Sequence, residues 1–194
     1  DGHLHGNIYF RWPNGAVFDG TACMGKKEGK GVTTRPDGTV YNGNYSNGKE
    51  DGFGTLIRPD GSKYRGDFKD GLKEGYGVML RSTQTYDGEW ANDRPHGQGR
   101  VVWSNGATFT GQFRKGTYSG MGVYVWPSGK KFLGRWENGV KHGDLTVKGQ
   151  NGRGQRMRSR WRERPSSRYS TPTPETETTL MFHVRRRQAD CGNA

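Results

Sequence analysis

The sequence predicts an all-β protein: an elongated, single-layer, twisted antiparallel sheet of stacked β-hairpins, followed by an extended basic C-terminal tail. Three observations predict it. An aromatic followed two residues later by glycine recurs at Phe18/Gly20, Tyr41/Gly43, Tyr64/Gly66, Tyr86/Gly88, Phe109/Gly111 and Phe132/Gly134, at intervals of 23, 23, 22, 23 and 23 residues. Fixed periods of this size mark repeat architectures. Turn sequences punctuate each period. Composition then excludes one deep core: 33 of 194 residues are glycine and only 29% are hydrophobic, where ordinary globular domains carry about 7% and about 45%. Collagen is excluded as well, since the glycines do not fall every third residue.

The elements follow in order. Residues 1–17 form a partial repeat, because counting back one period puts Gly2, Gly6 and Gly15 at recurring glycine positions. The chain thus opens in mid-unit, either as a degenerate cap or with a further piece upstream. Units start near residues 18, 41, 64, 86, 109 and 132, and the array runs to residue 147. Each opening strand carries two aromatics with glycine between them: Tyr41 and Tyr45, Tyr64 and Phe68, Tyr86 and Trp90, Phe109 and Phe113, Phe132 and Trp136. Period-two alternation puts all of these on one face. Ala22 breaks the series in the first unit.

A glycine inside a strand signals close approach of another group. The expected visitor is a ring from the neighbouring unit. A longer polar loop, such as 47–52, leads to an apolar return strand, as at 78–80, 101–103 and 123–126. Pro36-Asp37-Gly38, Pro59-Asp60-Gly61 and Pro127-Ser128-Gly129 read as the tight turns, with proline fixing φ and glycine allowing positive φ. Two strands of about four to six residues per period make about 13 strands, a ribbon of ~60 Å at ~4.8 Å per strand. Each hairpin is marginal alone and is stabilised by stacking. A parallel β-helix is the competing architecture, which the Pro-Asp-Gly turns disfavour.

The grammar changes after Val147. Residues 148–194 hold 11 Lys or Arg against 4 Asp or Glu, so more than half of the net charge of +12 sits in this tail. Arg156, Arg158, Arg160, Arg162 and Arg164 alternate around Trp161, and Arg185, Arg186 and Arg187 close a second basic run. An extended segment puts the alternating arginines on one side. The composition cannot bury enough surface to fold alone, so the tail is expected to be largely irregular.

Catalytic signatures are missing. No Gly-x-x-x-x-Gly-Lys-Ser/Thr occurs, and Gly29-Lys30-Gly31 recurs by repeat logic. His96 and His142 stand where Glu28, Asp51 and Glu74 stand in other units, which reads as polar loop packing. His3 and His5 lack a third metal ligand. Asp67, Asp87 and Glu89 read as solvent-facing positions of alternating strands. With no nucleophile elbow and no Cys–His constellation, the expectation is a non-enzyme without cofactor or metal. Cys23 and Cys191 are too few for a disulfide framework, which fits a reducing compartment. No apolar run reaches the ~18 residues of a membrane-spanning helix, and no leader segment is expected.

The string Tyr64-Arg-Gly-Asp-Phe-Lys-Asp-Gly-Leu-Lys-Glu-Gly-Tyr-Gly77, with Tyr86-Asp-Gly-Glu-Trp90 and His96-Gly-Gln-Gly99 after it, resembles the MORN repeat over roughly residues 1–147. Departures are Ala22, Asp93, Leu145 and the missing turn glycine near Ser82. The resemblance implies a scaffold of stacked hairpins. Such repeats recur in cytoskeletal and ciliary proteins, including radial spoke heads, in junctional membrane tethers, and beside lipid-kinase or methyltransferase domains. The expected function is therefore a structural scaffold in a large cytoskeletal assembly, an axonemal complex of the cilium or flagellum such as the radial spoke head. The alternatives are a phosphoinositide or acidic-membrane tether and a specificity module for an enzyme on another chain.

Two partner-binding surfaces are expected. One is the ladder of Tyr41, Tyr45, Tyr64, Phe68, Tyr86, Trp90, Phe109, Phe113, Phe132 and Trp136, mostly core but able to receive a partner wherever grooves between rings stay open. The other is the basic tail, Arg156 through Arg164 with Trp161 and Arg185 to Arg187, which suits an acidic protein surface first and anionic lipid second, with nucleic acid disfavoured. Self-association through the open strand edges is a further expectation.

Overall fold

A computed structural model describes residues 3–142; the second surface, Arg156 to Arg187, lies outside them. The architecture is the expected one. Thirteen strands form a single open sheet in sequence order, every neighbouring pair antiparallel, and there is no helix among the described residues. The strands are β1 Gly6–Arg11, β2 Val17–Cys23, β3 Lys26–Thr34, β4 Val40–Ser46, β5 Lys49–Ile57, β6 Lys63–Lys69, β7 Leu72–Leu80, β8 Gln84–Ala91, β9 Arg94–Trp103, β10 Thr108–Arg114, β11 Thr117–Val125, β12 Lys131–Glu137 and β13 Val140–His142. Most are longer than expected, since the segment after each first turn is itself strand.

Register follows the glycines. Gly20 pairs with Gly31, Gly31 with Gly43, Gly43 with Gly54, Gly54 with Gly66, and the seam continues through Gly77, Gly88, Gly99, Gly111 and Gly122 to Gly134. One bare-backbone line therefore crosses the sheet from β2 to β12.

Turn assignment is reversed from the sequence reading. The tight turns are the two-residue ones opening each unit's return, where Asn47 and Gly48 have φ of 52° and 85°. Two successive positive φ values define a type I′ turn, whose twist suits a hairpin. The Pro-Asp-Gly segments are the longer connections: Arg35 N–H donates to Thr39 O at 2.8 Å, and the Asp37 carboxylate accepts from Thr39 N–H at 2.8 Å. The predicted loop 47–52 is mostly strand β5, interrupted by a bulge at which Gly52 holds φ 86°.

Units are stapled end to end. Each turn's second residue donates its N–H to the preceding unit, Gly48 to Lys27 O at 2.9 Å, Gly71 to Glu50 O at 2.8 Å and Gly116 to Pro95 O at 2.8 Å. Carboxylates at one repeat position reinforce this: Glu28 accepts from Asn47 N–H at 2.9 Å, Asp51 from Asp70 N–H at 3.3 Å and Glu74 from Asn92 N–H at 3.0 Å. The acids replaced by His96 and His142 thus cap the next unit's turn. Asp67 and Asp87, expected to face solvent, are half-buried; Asp67 accepts from Tyr76 N–H at 3.3 Å and Asp87 from the Tyr76 hydroxyl at 2.5 Å.

Candidate functional site

The ladder face is built on the glycine seam. The first ring of a unit covers its own two glycines, the one two residues on and the one opposite it on the return strand. A methyl group placed at Gly43 would lie 2.5 Å from the Tyr41 hydroxyl. The visitor is thus the unit's own aromatic, not the neighbour's as the sequence reading expected: antiparallel pairing brings both glycines beneath one ring. Where that ring is tyrosine, its hydroxyl donates to a carbonyl three residues on along its own strand, opposite the bulge, Tyr41 to Asn44 O at 2.9 Å, Tyr64 to Asp67 O at 3.0 Å and Tyr86 to Glu89 O at 2.7 Å.

The second ring joins units. It meets its own first ring edge-on and also the first ring of the preceding unit: Tyr45 with Phe18, Phe68 with Tyr41, Trp90 with Tyr64, Phe113 with Tyr86 and Trp136 with Phe109, at centroid distances of 5.0–5.4 Å. Edge-to-face geometry at this spacing is the favoured aromatic arrangement. All ten ladder residues are buried, none more than 8% exposed. The structure brings them together as core, and what they leave at the surface is the margin around them.

That margin consists of two further rows at the same spacing, which the sequence reading missed. Trp12, Arg35, Arg58, Arg81, Trp103 and Trp126 precede the connections, while Lys27, Glu50, Lys73, Pro95, Tyr118 and Lys141 follow the tight turns. The repeat interval was the available signal; residue type varies along each row, which hid them. Trp12, Trp103, Tyr118 and Trp126 pack against the core while staying partly exposed, as does Tyr124 inside the margin.

Cations fill the gaps between rings. The Lys27 ammonium sits 5.1 Å from the Trp12, 4.8 Å from the Phe18 and 5.2 Å from the Tyr45 centroid, and donates to Thr33 Oγ1 at 2.8 Å. Ring faces attract a cation, while burial holds the Lys27 pKa below its ordinary value. The buried Lys73 lies over Tyr64 and Trp90 and reaches Asp93 at 2.6 Å. Asp93 stands where other units have turn glycine and accepts φ 64°. Burial pushes its carboxyl up, but the Lys73 contacts prevail and hold it below the usual range. Glu50 goes the other way: burial raises its pKa despite Arg35 at 2.6 Å.

Chemically, the face can bind. Its rings, guanidiniums and ammoniums offer apolar, planar and cationic contact along a rigid sheet, and no three His, Cys, Asp or Glu side chains converge as a metal site among the described residues.

Comparison with known proteins agrees on the repeat. The MORN repeat pattern matches residues 24–40, 41–63, 64–85, 86–108, 109–131 and 132–143, more than half of the chain. No curated protein matches. Among solved structures, the TCP10 domain of Danio rerio CPAP is similar at 17% identity and a TM-score of 0.42, over 72% of this chain and 66% of that one. The SAS-4 (dCPAP) TCP domain of Drosophila melanogaster, solved in complex with a proline-rich motif of Ana2, shows 12% identity and a TM-score of 0.31, over 68% of this chain and 85% of that one. The chain thus spans just under two thirds of the Danio rerio domain.

Proposed function

We propose that this chain, which belongs to the MORN-repeat family, is a non-enzymatic scaffold whose ladder face holds protein partners inside a large cytoskeletal assembly. The observation that carries this reading is the margin, in which half-exposed Trp12 on one side and Trp103, Tyr118, Tyr124 and Trp126 on the other flank Arg35, Arg58 and Arg81. Trp, Tyr and Arg are the residue types that dominate binding energy at protein interfaces, and a rigid platform spares the entropy of ordering them. The assembly proposed is axonemal, a complex such as the radial spoke head, supported by the recurrence of such arrays in ciliary proteins. The tail's role, also proposed, is to meet an acidic neighbouring subunit through Arg156, Arg158, Arg160, Arg162 and Arg164.

The test is proximity labelling from the tagged full chain in ciliated cells, with a Trp103→Ala/Trp126→Ala variant alongside. Axonemal enrichment, with a set of labelled proteins that the variant loses, is the expected result. Diffuse distribution would overturn the axonemal placement. Identical labelling by both chains would overturn the ladder margin as the binding surface.

A further inference from the structure

Strand alternation gives the sheet a second face. On it, β3 to β6 enclose a cleft of about 350 Å³, the size at which small-ligand sites begin. Three of its lining side chains are cations: Lys30 from β3, and Lys63 and Arg65 from β6. None of the three forms an ion pair among the described residues. On the ladder face, by contrast, Arg35 and Lys73 are paired and Lys27 is enclosed by rings.

Registration explains the convergence. Asn42 is opposite Thr55, and Thr55 is opposite Arg65, so these three form a polar row across β4, β5 and β6. Lys30 is opposite Asn44, whose amide is spent on the Phe53 carbonyl at 3.1 Å. The Arg65 guanidinium lies 5.4 Å from the Phe53 ring centroid, a cation–π contact that holds its charge beside the cleft. Three uncompensated positive charges around an open cleft, beside amide and hydroxyl donors, are the complement of a compact dianion with several acceptor oxygens. A phosphomonoester is such a group, with about −1.5 to −2 charge and three strong acceptors.

The surroundings select the bearer of that group. Asp19, Glu28, Asp51, Asp67, Glu74, Asp87 and Glu89 alternate with residues of the ladder face and its margin and share this second face. Nearest the cleft are Asp67, opposite Phe53, and Asp19, opposite Val32, which is in turn opposite Asn42, so a headgroup with several phosphates would lay negative charge against them. One phosphate on a narrow backbone meets only the cleft. We propose that Lys30, Lys63 and Arg65 form a binding site for a phosphorylated serine or threonine of a partner protein, on the face opposite the ladder and independent of it.

The test uses the full chain and an eleven-residue Gly/Ser peptide carrying one central phosphothreonine, read by fluorescence anisotropy at 0.15 M salt. Saturable binding is expected, weakened at least tenfold in Lys30→Gln/Arg65→Gln and in Lys63→Gln, and changed less than twofold in Arg100→Gln/Lys131→Gln on the same face. The unphosphorylated peptide should not bind. Circular dichroism checks that each variant is folded, and Lys63→Gln serves if the double variant is not. Absence of saturable binding overturns the proposal. So does equal weakening by Arg100→Gln/Lys131→Gln, which would mean bulk charge. A third overturning result is phosphatidylcholine vesicles with 5% phosphatidylinositol bisphosphate depending on Lys30 and Arg65 while the peptide does not.

Discussion

The units starting at 41, 64 and 86 and those starting at 109 and 132 share one backbone but solve the same packing problem with different chemistry. In the first group the ring over the seam is tyrosine, its hydroxyl is satisfied by the carbonyl three residues on, and the margin holds Arg58, Arg81, the Lys73–Asp93 pair and Glu50 paired with Arg35 of the preceding unit, before it ends in Trp103. In the second the covering ring is phenylalanine, and the margin is Tyr118, Trp126 and Lys141, with Tyr118 and Trp126 in a continuous aromatic cluster with Tyr124 and with Trp103 at the end of the preceding unit. The seam is invariant between them, while the margin tolerates charge or ring. What the fold requires is thus the bare backbone under a ring, and what surrounds that ring is left to differ.

The largest expected effect breaks the shared part. Gly77→Val in the middle and Gly134→Val near the end each force a side chain into a covering ring, Tyr64 and Phe132 respectively. Overpacking of this kind typically costs about 1–3 kcal/mol, occasionally more, and a strained seam strand adds to it. In a nearest-neighbour array a central break also uncouples units on both sides. Gly77→Val should therefore cost more than about 4 kcal/mol in urea denaturation and split the transition in two. Gly134→Val should mainly fray the terminal strands. Gly106→Ala, in an open turn at φ 84° with nothing within 4 Å, should cost about 1 kcal/mol. Equal losses at Gly77 and Gly106 would show that the seam is not what the fold requires.

This division also explains what the sequence made legible. Period and alternation placed the glycines, the ten ladder rings and the strand number, because those positions admit few residue types. The turn ends were misassigned because both carry glycine beside Asn, Asp or Pro; proline drew the tight-turn reading, whereas two successive positive φ values need Asn47-Gly48 or its equivalents. The covering ring was assigned to the wrong unit because alternation says which face a ring occupies, not which cross-strand partner lies beneath it. The margin rows escaped notice since Arg35, Trp103 and Trp126 share position without sharing chemistry. Alternation puts Lys63 and Arg65 on one face of β6, but nothing local joins Lys30 of β3 to them; only strand pairing does.

A smaller effect separates the two groups by pH. Burial pushes the Tyr41 and Tyr86 phenols above their ordinary value, and that of Tyr45 up to about 12 from 10.0. Unfolded phenols ionise first, so this stabilisation is intact below pH 10 and lost as pH rises through the folded values. The double variant Tyr41→Phe/Tyr86→Phe should lose about 1 kcal/mol per hydroxyl at pH 7, as the Asn44 and Glu89 carbonyls lose a donor. Between pH 9 and pH 11.5 its urea midpoint should then fall less steeply than the natural chain's. Phe109→Tyr should stay within about 1 kcal/mol at pH 7, its new hydroxyl facing the Gln112 carbonyl at the equivalent position. Parallel pH profiles would mean that these phenols ionise without unfolding the sheet.

The smallest effect concerns two tryptophans at one repeat position. Trp90 donates its indole N–H to Gly77 O at 3.0 Å across the seam. The indole nitrogen of Trp136 is buried with no partner among the described residues. A buried donor left without an acceptor carries its desolvation cost unrepaid. Exchanging each for phenylalanine removes similar ring area but different polar balances. Trp90→Phe should cost about 1–2 kcal/mol, since it also strips the Gly77 carbonyl of its donor. Trp136→Phe should cost less, as relief of the orphaned N–H offsets part of the lost contact with Phe109 and Phe132. Urea midpoints read the difference, and a larger loss at Trp136 would mean that ring area outweighs hydrogen bonding at this end of the ladder.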